Sequence, residues 1–413
     1  MQRTCKKQSS DAVLERNEIM ETKKALFIGK YPDAVFPYRQ VFFQNLIFAL
    51  ADQGVECTVI SPVPLTNFKH YKFGAHKVAR KEIQHTPKGT AVTVYYPRYI
   101  SASSKQIGSY NTEKLSERLF ENSVMSVVKE LDASFDFVYG HFFLYGGLAA
   151  VKVGKQLGIP SFIAYGECDF ESQVKQTYGL PGKEQLEGLT GIISVSTKNT
   201  NELKALGIID DVPILTAPNS ADLTLFHPKD RSECRQKLGM PTDKFIVGFV
   251  GSFIDRKGDK RLLEAVNGIE DTYVAFAGKG DVPPAGDRVI FCQPLVHDRV
   301  SDFLSAIDVF CLPTLSEGSC NAIVEAMACG APIISSDLPF NDDALDASNS
   351  IRIDPNSVAE IRQAIQSLKN DPERRLALAR ASLEKAQDFE IGQRASKIFN
   401  FIQTCSESFH AEA

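Results

Sequence analysis

The stretch from Val309 to Ser336 places the tightest constraint on how this chain can fold. Val309-Phe-Cys-Leu-Pro313 is a short apolar run and a second begins at Ile333; between them lie a small-residue loop and an apolar segment with helical spacing. The pattern is strand, loop, helix, strand, the repeating unit of an α/β fold. Ser319 is a good N-cap, and Gly330 is a good C′ residue with Pro332 just beyond, so the helix is expected from about Ser319 to Gly330. The backbone N–H groups of Cys320, Asn321 and Ala322 would then stand free at the end of a strand. Such a helix start attracts anions.

Two carboxylates lie near this helix start. Glu325 sits about one turn inside, among Ile323, Val324, Ala326, Met327 and Ala328, where an unpaired charge would be expensive to bury. A ribose diol, beside phosphates held at the helix start, is a partner that fits it; the other reading is a surface glutamate on an ordinary helix. Glu317, in the loop, is free to point over the same pocket and meet a sugar. The pair is not spaced like that of a glycosidase. Eight helical steps rise about 12 Å, against roughly 5 to 5.5 Å for a retaining pair and up to about 9.5 Å for an inverting one.

The run from Glu317 to Glu325, with Asn321-Ala-Ile-Val-Glu-Ala-Met-Ala-Cys-Gly-Ala-Pro332 around it, resembles the E-x7-E signature of retaining, nucleotide-sugar-dependent glycosyltransferases of family 4. The resemblance covers about residues 24 to 402 and is strongest over 214 to 336. It implies a GT-B fold: two facing Rossmann-like domains with parallel sheets, and a C-terminal helix crossing back to the first domain. The polar, mixed-charge residues 1–22 read as a disordered tail; after it the resemblance implies an N-terminal acceptor-binding domain over 23–217, a C-terminal nucleotide-sugar-binding domain over 218–388, and a helix over 389–413 packing on the first domain.

Other segments carry the same resemblance. Ala217-Pro-Asn-Ser-Ala-Asp-Leu-Thr-Leu-Phe-His-Pro228 is similar to the family's crossing into the second domain, with Asn219 and Asp222 as turn-makers. Gly251-Ser-Phe-Ile-Asp-Arg-Lys-Gly258 resembles a Gly-Arg-x-x-x-x-Lys-Gly loop, with Ser252 in place of the arginine. A small residue there lets the backbone approach a ligand, and Lys257 can neutralise a departing diphosphate, assisted by Arg256 from another angle. Gly278-Lys-Gly280 is similar to the family's G-x-G turn. His141 stands at the C-terminal end of an expected strand, the end at which open α/β sheets bind ligands.

These matches imply a set of roles. Lys257, Glu317 and His141 would be the catalytic residues, the last two orienting the transferred sugar. Donor binding would fall to Gly251, Ser252, Arg256, Lys257, Gly278, Ser319, Cys320, Asn321, Ala322 and Glu325, the last on the ribose hydroxyls. Tyr38 and Arg39, in a loop that replaces the family's glycine-rich turn, and Glu167 and Asp169 would contact the acceptor. The implied activity is that of a hexosyltransferase, moving a sugar with retention of configuration from a nucleotide-diphosphate sugar to a hydroxyl of a glycan or lipid-linked acceptor, in cell-surface polysaccharide or glycoconjugate synthesis. The alternatives are a nucleotide-sugar epimerase or sugar phosphorylase of the same fold, or an inactive relative that binds nucleotide sugar. A nucleophilic Cys320 has no histidine partner placed by the sequence.

Composition narrows the classes further. A chain of 413 residues with 43% hydrophobic content is long enough for two or three domains. A net charge of −5 argues against general nucleic-acid binding. Residues 1–220 carry 25 Lys+Arg against 22 Asp+Glu (+3), leaving 21 and 29 (−8) for the rest. The nine cysteines lack metal-ligand spacing, so neither a metal nor another cofactor is expected, and free thiols point to the cytoplasm. From Phe68 to Lys105 the chain is basic, with tyrosines and phenylalanines interleaved. That stretch is either a solvated face with tyrosines packed beneath it or a surface that meets an anionic acceptor or acidic lipid at the inner membrane face.

Overall fold

The computed structural model describes residues 22–65, 77–102, 105–108, 110–131, 133–168, 183–207, 209 and 211–412. The tail expected over 1–22, except Thr22, residues 68–76 and 103–104 of the basic stretch, and Asp169 lie outside them.

Apolar runs build two sheets. The first has eight strands in the order Ile214–Thr216, Leu189–Ser194, Ser161–Tyr165, Phe137–His141, Lys24–Ile28, Glu56–Ile60, Ala91–Tyr95 and Lys81–His85. The second has six, in the order Val289–Gln293, Thr272–Ala277, Phe245–Val250, Val309–Leu312, Ile333–Ser336 and Ser350–Ile353. Every pair in the second sheet is parallel, as expected for strands buried on both faces.

The first sheet departs from the parallel expectation at one edge, where Lys81–His85 and Ala91–Tyr95 run antiparallel. The connection between them is too short for a crossover. It closes as a tight turn in which the Gly89 amide donates to the Thr86 carbonyl at 2.9 Å and Gly89 takes a φ of 91°. The Thr86 and Thr90 hydroxyls both donate to Asp52 Oδ1, at 2.6 and 2.8 Å, and tie the hairpin to the helix Val41–Asp52. In this part of the basic stretch Tyr96 and Tyr99 are buried while Lys81 and Lys88 are exposed. The Tyr96 hydroxyl donates to the Pro32 carbonyl at 2.7 Å. Tyrosines therefore pack beneath a solvated basic edge.

The chain crosses between the sheets twice, and the crossings pair with each other. The Ala221 amide donates to the Phe389 carbonyl at 2.9 Å, and the Ile391 amide to the Ala221 carbonyl at 3.0 Å. Beyond Ile391 one helix, Ile391–Glu412, runs back over the first sheet. It buries Ala395, Ile398 and Ile402 in the same core as Phe43, Leu46, Ile47 and Leu50 of Val41–Asp52. Phe399 meets Phe137, and Phe401 meets Phe162, at ring-centroid distances of 6.5 and 6.2 Å. Among the described residues no helix is long and apolar enough to cross a membrane.

The C-terminal strand ends of the two sheets meet. Ser316, in the loop after Val309–Leu312, donates from its hydroxyl to the Cys168 carbonyl at 2.7 Å, in the loop after Ser161–Tyr165. Thr197 adds two bonds to Asp343, from its amide at 2.8 Å and its hydroxyl at 2.6 Å.

Because the returning helix supplies core side chains to the first sheet, its loss should be felt there. Ile402→Ala is expected to lower unfolding free energy by about 2–5 kcal/mol, read by urea denaturation. A change below about 0.5 kcal/mol would mean that the helix contributes no packing.

Candidate functional site

The helix at the centre of the sequence pattern spans Asn321–Ala328. Its cap is not the expected Ser319. Cys320 precedes the first helical residue and offers no side-chain hydrogen bond. Ser319 is engaged elsewhere: its hydroxyl accepts from the Asn219 amide, and its carbonyl accepts from Asn219 Nδ2, both at 3.1 Å. This binds the helix start to the interdomain crossing. The amides of Asn321 and Ala322 have no carbonyl behind them within the helix, so they stand as donors at its positive end.

Glu317 is buried and not free to swing. Its Oε1 accepts from the Thr314 hydroxyl at 2.8 Å and lies 2.6 Å from Lys257 Nζ and 3.0 Å from Arg256 Nη1. The expectation of a mobile glutamate over the pocket is corrected. A buried carboxylate must be matched, and the two basic side chains of the Asp255–Lys257 turn do so. Burial acts to lower the Lys257 pKa, but the charge and hydrogen bond of Glu317 oppose it, and the net shift is upward from the ordinary lysine value. Lys257 is therefore a permanent cation. Burial pushes the Cys320 thiol up to about 11, which keeps it protonated and removes it as a nucleophile.

Two glycines allow this closeness. Gly258 adopts a φ of 79°, and a Cβ there would stand 2.4 Å from the Pro313 carbonyl oxygen. At Gly318 a Cβ would stand 2.5 Å from the Gly166 carbonyl oxygen, so only glycine lets this loop dock on the first domain. Gly278 serves packing: a Cβ on it would meet the Gly251 carbonyl oxygen at 1.8 Å. Ser252 is exposed, and its carbonyl accepts from the Ile254 amide.

Glu325 is nearly buried, with 12% of its side chain exposed, and its Oε1 lies 3.2 Å from His297 Nε2. Sequence reasoning missed His297. A lone histidine gives little signal, although this one opens the helix His297–Ala306 just after a strand tip. Burial works to lower its pKa, but the hydrogen bond and charge of Glu325, with Asp298 and Asp222, raise it above 6.5. Both residues line a cavity of about 230 Å³ between the domains, with Tyr38 and Phe42 on its first-domain wall and Asn321 near the helix start.

Of the expected acceptor contacts, Tyr38 reaches this cavity, while the Arg39 guanidinium lies over the Phe36 ring at 4.4 Å. Glu167 is corrected to a structural role. It is buried, and its carboxylate accepts from the Phe143 amide at 2.7 Å and the Gly166 amide at 3.0 Å. It braces the turn after His141, where Phe142 and Tyr145 take positive φ values of 66° and 59°. Burial drives its pKa up to about 7 despite these bonds.

His141 closes the strand Phe137–His141 and stacks on Phe43 at 4.1 Å. Neither ring nitrogen has a partner among the described residues. Burial lowers its pKa to about 3, with Arg394 adding to the effect, so the imidazole is neutral and its remaining capacity is hydrogen bonding. Among the described residues no group of three or more His, Cys, Asp or Glu is arranged to hold a metal.

The Lys257–Glu317 pair can be tested by a double-mutant cycle. Lys257→Met is expected to cost about 3 kcal/mol by leaving a buried carboxylate short of charge, and Glu317→Gln in the same chain should recover part of it. Simply additive losses in chemical denaturation would show that the two groups are not coupled.

Residues 230–385 match the model of glycosyl transferases group 1. Over 395 residues, 92% of this chain and 97% of its relative, the chain is 25% identical to a Bacillus subtilis (strain 168) protein named as a teichuronic acid biosynthesis glycosyltransferase. It is 25% identical to D-inositol 3-phosphate glycosyltransferase 1 of Catenulispora acidiphila over 310 residues, 66% of this chain and 73% of that one. Sucrose-phosphate synthase from Thermosynechococcus elongatus superposes with a TM-score of 0.74 at 19% identity, over 92% of this chain and 98% of that one. The Anabaena protein HepE, crystallised with UDP and glucose, gives 0.67 at 16% identity, over 92% and 99%. The chain thus has the GT-B fold, its second domain carries the match to glycosyl transferases group 1, and together these findings support a glycosyltransferase.

Proposed function

We propose that the chain is a retaining hexosyltransferase that uses a nucleoside-diphosphate sugar and a glycan or lipid-linked hydroxyl acceptor. The observation that carries this reading is the convergence of Lys257, Arg256 and the start of the helix Asn321–Ala328 at the meeting of the two sheets. Two cations beside unpaired helix amides suit a diphosphate, whose charge grows as it departs.

On this reading the donor's diphosphate takes up Lys257 and Arg256, with Glu317 fixing where both cations stand. Glu325 meets the ribose, and the neutral His141 gives a hydrogen bond to the transferred sugar. The acceptor oxygen bonds to the anomeric carbon as its bond to phosphate breaks. The acceptor's proton passes to the departing phosphate, so no side-chain base is required. Catalysis then rests on position and charge stabilisation. Similarity to a teichuronic acid glycosyltransferase across nearly the whole chain supports a polymer or lipid-linked acceptor.

The test is a thermal-shift panel of UDP-, GDP- and ADP-sugars. At a hundred times its Kd, the true donor should stabilise the protein by about 2.7 kcal/mol. The shift should vanish in Glu325→Ala and Lys257→Ala, each compared with its own ligand-free state. Transfer or slow hydrolysis should give a product anomer of unchanged configuration by NMR. No shift from any of the three donor classes in a folded protein would contradict the reading.

A further inference from the structure

His297 stands where helix electrostatics disfavour a cation. It is the first residue of His297–Ala306, so a protonated ring there meets the positive end of the helix. Burial also works against the charge, yet the hydrogen bond and charge of Glu325, with Asp298 and Asp222, more than offset it. The ring is fixed in place as well. Phe226, itself buried, packs edge-on against it with centroids 5.1 Å apart and planes at 69°. Nε2 is thereby kept 3.2 Å from Glu325 Oε1. Glu325 Oε2 has no partner among the described residues, and both side chains line the interdomain cavity.

The groups around the ring leave this pair to itself. Asp222 Oδ1 accepts from the Thr224 amide and hydroxyl, at 2.8 and 2.6 Å. Lys229 and Arg299 both pair with Asp302, and Arg231 and Arg235 both pair with Asp308. Cys329, at the end of Asn321–Ala328, is kept a neutral thiol by burial, its pKa pushed up to about 12. Across the cavity stands Tyr38. Glu325 is the one carboxylate with which His297 pairs among the described residues.

We propose that His297 is a positioning residue for the donor: it fixes one oxygen of Glu325 so that the other is presented to the ligand, and its proton makes the site bind nucleotide sugars more tightly as pH falls. The inference rests on the donor reading above, which has Glu325 meet the donor, and adds the residue that holds Glu325. The sign follows from charge. Protonated His297 and Glu325 are neutral as a pair, whereas with the ring deprotonated a net negative charge faces an anionic diphosphate. Affinity is therefore full below the His297 pKa and declines as pH rises through it, and by linkage donor binding takes up protons in that range.

Calorimetry tests this on wild type, His297→Gln and His297→Phe with the best-binding of UDP-, GDP- and ADP-glucose, from about pH 5.5 to about pH 8.5 in buffers of different ionisation enthalpy. Wild type should bind about three- to tenfold more tightly at the acid end and take up part of a proton near the midpoint. His297→Phe, which leaves Glu325 unheld, should lose about tenfold in affinity even at the alkaline end. His297→Gln, which supplies a donor without a charge, should recover the alkaline affinity but show neither the acid gain nor the proton uptake. The glutamine variant alone decides the pH dependence if the phenylalanine variant fails to fold. An acid gain that persists in His297→Gln would assign it to another group and overturn the proposal, as would wild-type affinity in a folded His297→Phe. If none of the three nucleotide sugars binds wild type, the donor reading falls and this proposal with it. If they bind and lose affinity in Glu325→Ala while both His297 variants follow wild type at every pH, only the role of His297 falls.

Discussion

The structure turns on a carboxylate buried where two sheets meet. Glu317 has almost no access to solvent, and a charge in such a place is tolerated only when it is paired and hydrogen-bonded. Thr314, Arg256 and Lys257 supply that match, which draws the Asp255–Lys257 turn of one strand end against the loop of the next. The Leu315 amide donates to the Arg256 carbonyl at 2.8 Å and locks the two loops together. Gly258 and Gly318 then follow as requirements, since any side chain at either would collide with backbone. The outcome is a pair of cations held ready beside a helix start, with their desolvation already met by a resident anion.

The first domain contributes strain and unfilled hydrogen-bonding capacity. Glu167 keeps the turn at Phe142–Tyr145 in place from within, and that turn follows His141 directly. His141 is held between aromatic rings with both nitrogens unpartnered among the described residues, and Gln40 takes a left-handed backbone at the start of a helix. On the proposed reading, the unpartnered imidazole of His141 is kept in place for a substrate that supplies the missing bonds.

Much of the fold was legible because its signals are local. The apolar run at Phe245–Val250, the helix Val41–Asp52 and the glycine after Leu157 each declare themselves within a few residues. The same holds for Ser357, whose hydroxyl accepts from the Glu360 amide as its sequence suggests. What sequence could not show depends on partners far along the chain. Ser319 reads as a cap until Asn219, a hundred positions earlier, claims both its hydroxyl and its carbonyl. Glu167 reads as a ligand until its burial against the Phe143 amide is seen. The grouping of Arg256 and Lys257 was visible as a motif, whereas their common attachment to Glu317 was not, because it is made across the sheet. His297 gave no signal of its own, since its meaning comes entirely from Glu325.

The central claim is that the cations held by Glu317 serve a diphosphate. The direct measurement is the affinity ratio between a nucleoside diphosphate and its monophosphate, determined by calorimetry for wild type and Lys257→Met at equal ionic strength. The account predicts that the diphosphate binds wild type at least tenfold more tightly than the monophosphate, and that most of this advantage disappears in the variant while monophosphate affinity holds. An advantage that survives the loss of Lys257 unchanged would place the diphosphate elsewhere and contradict the account.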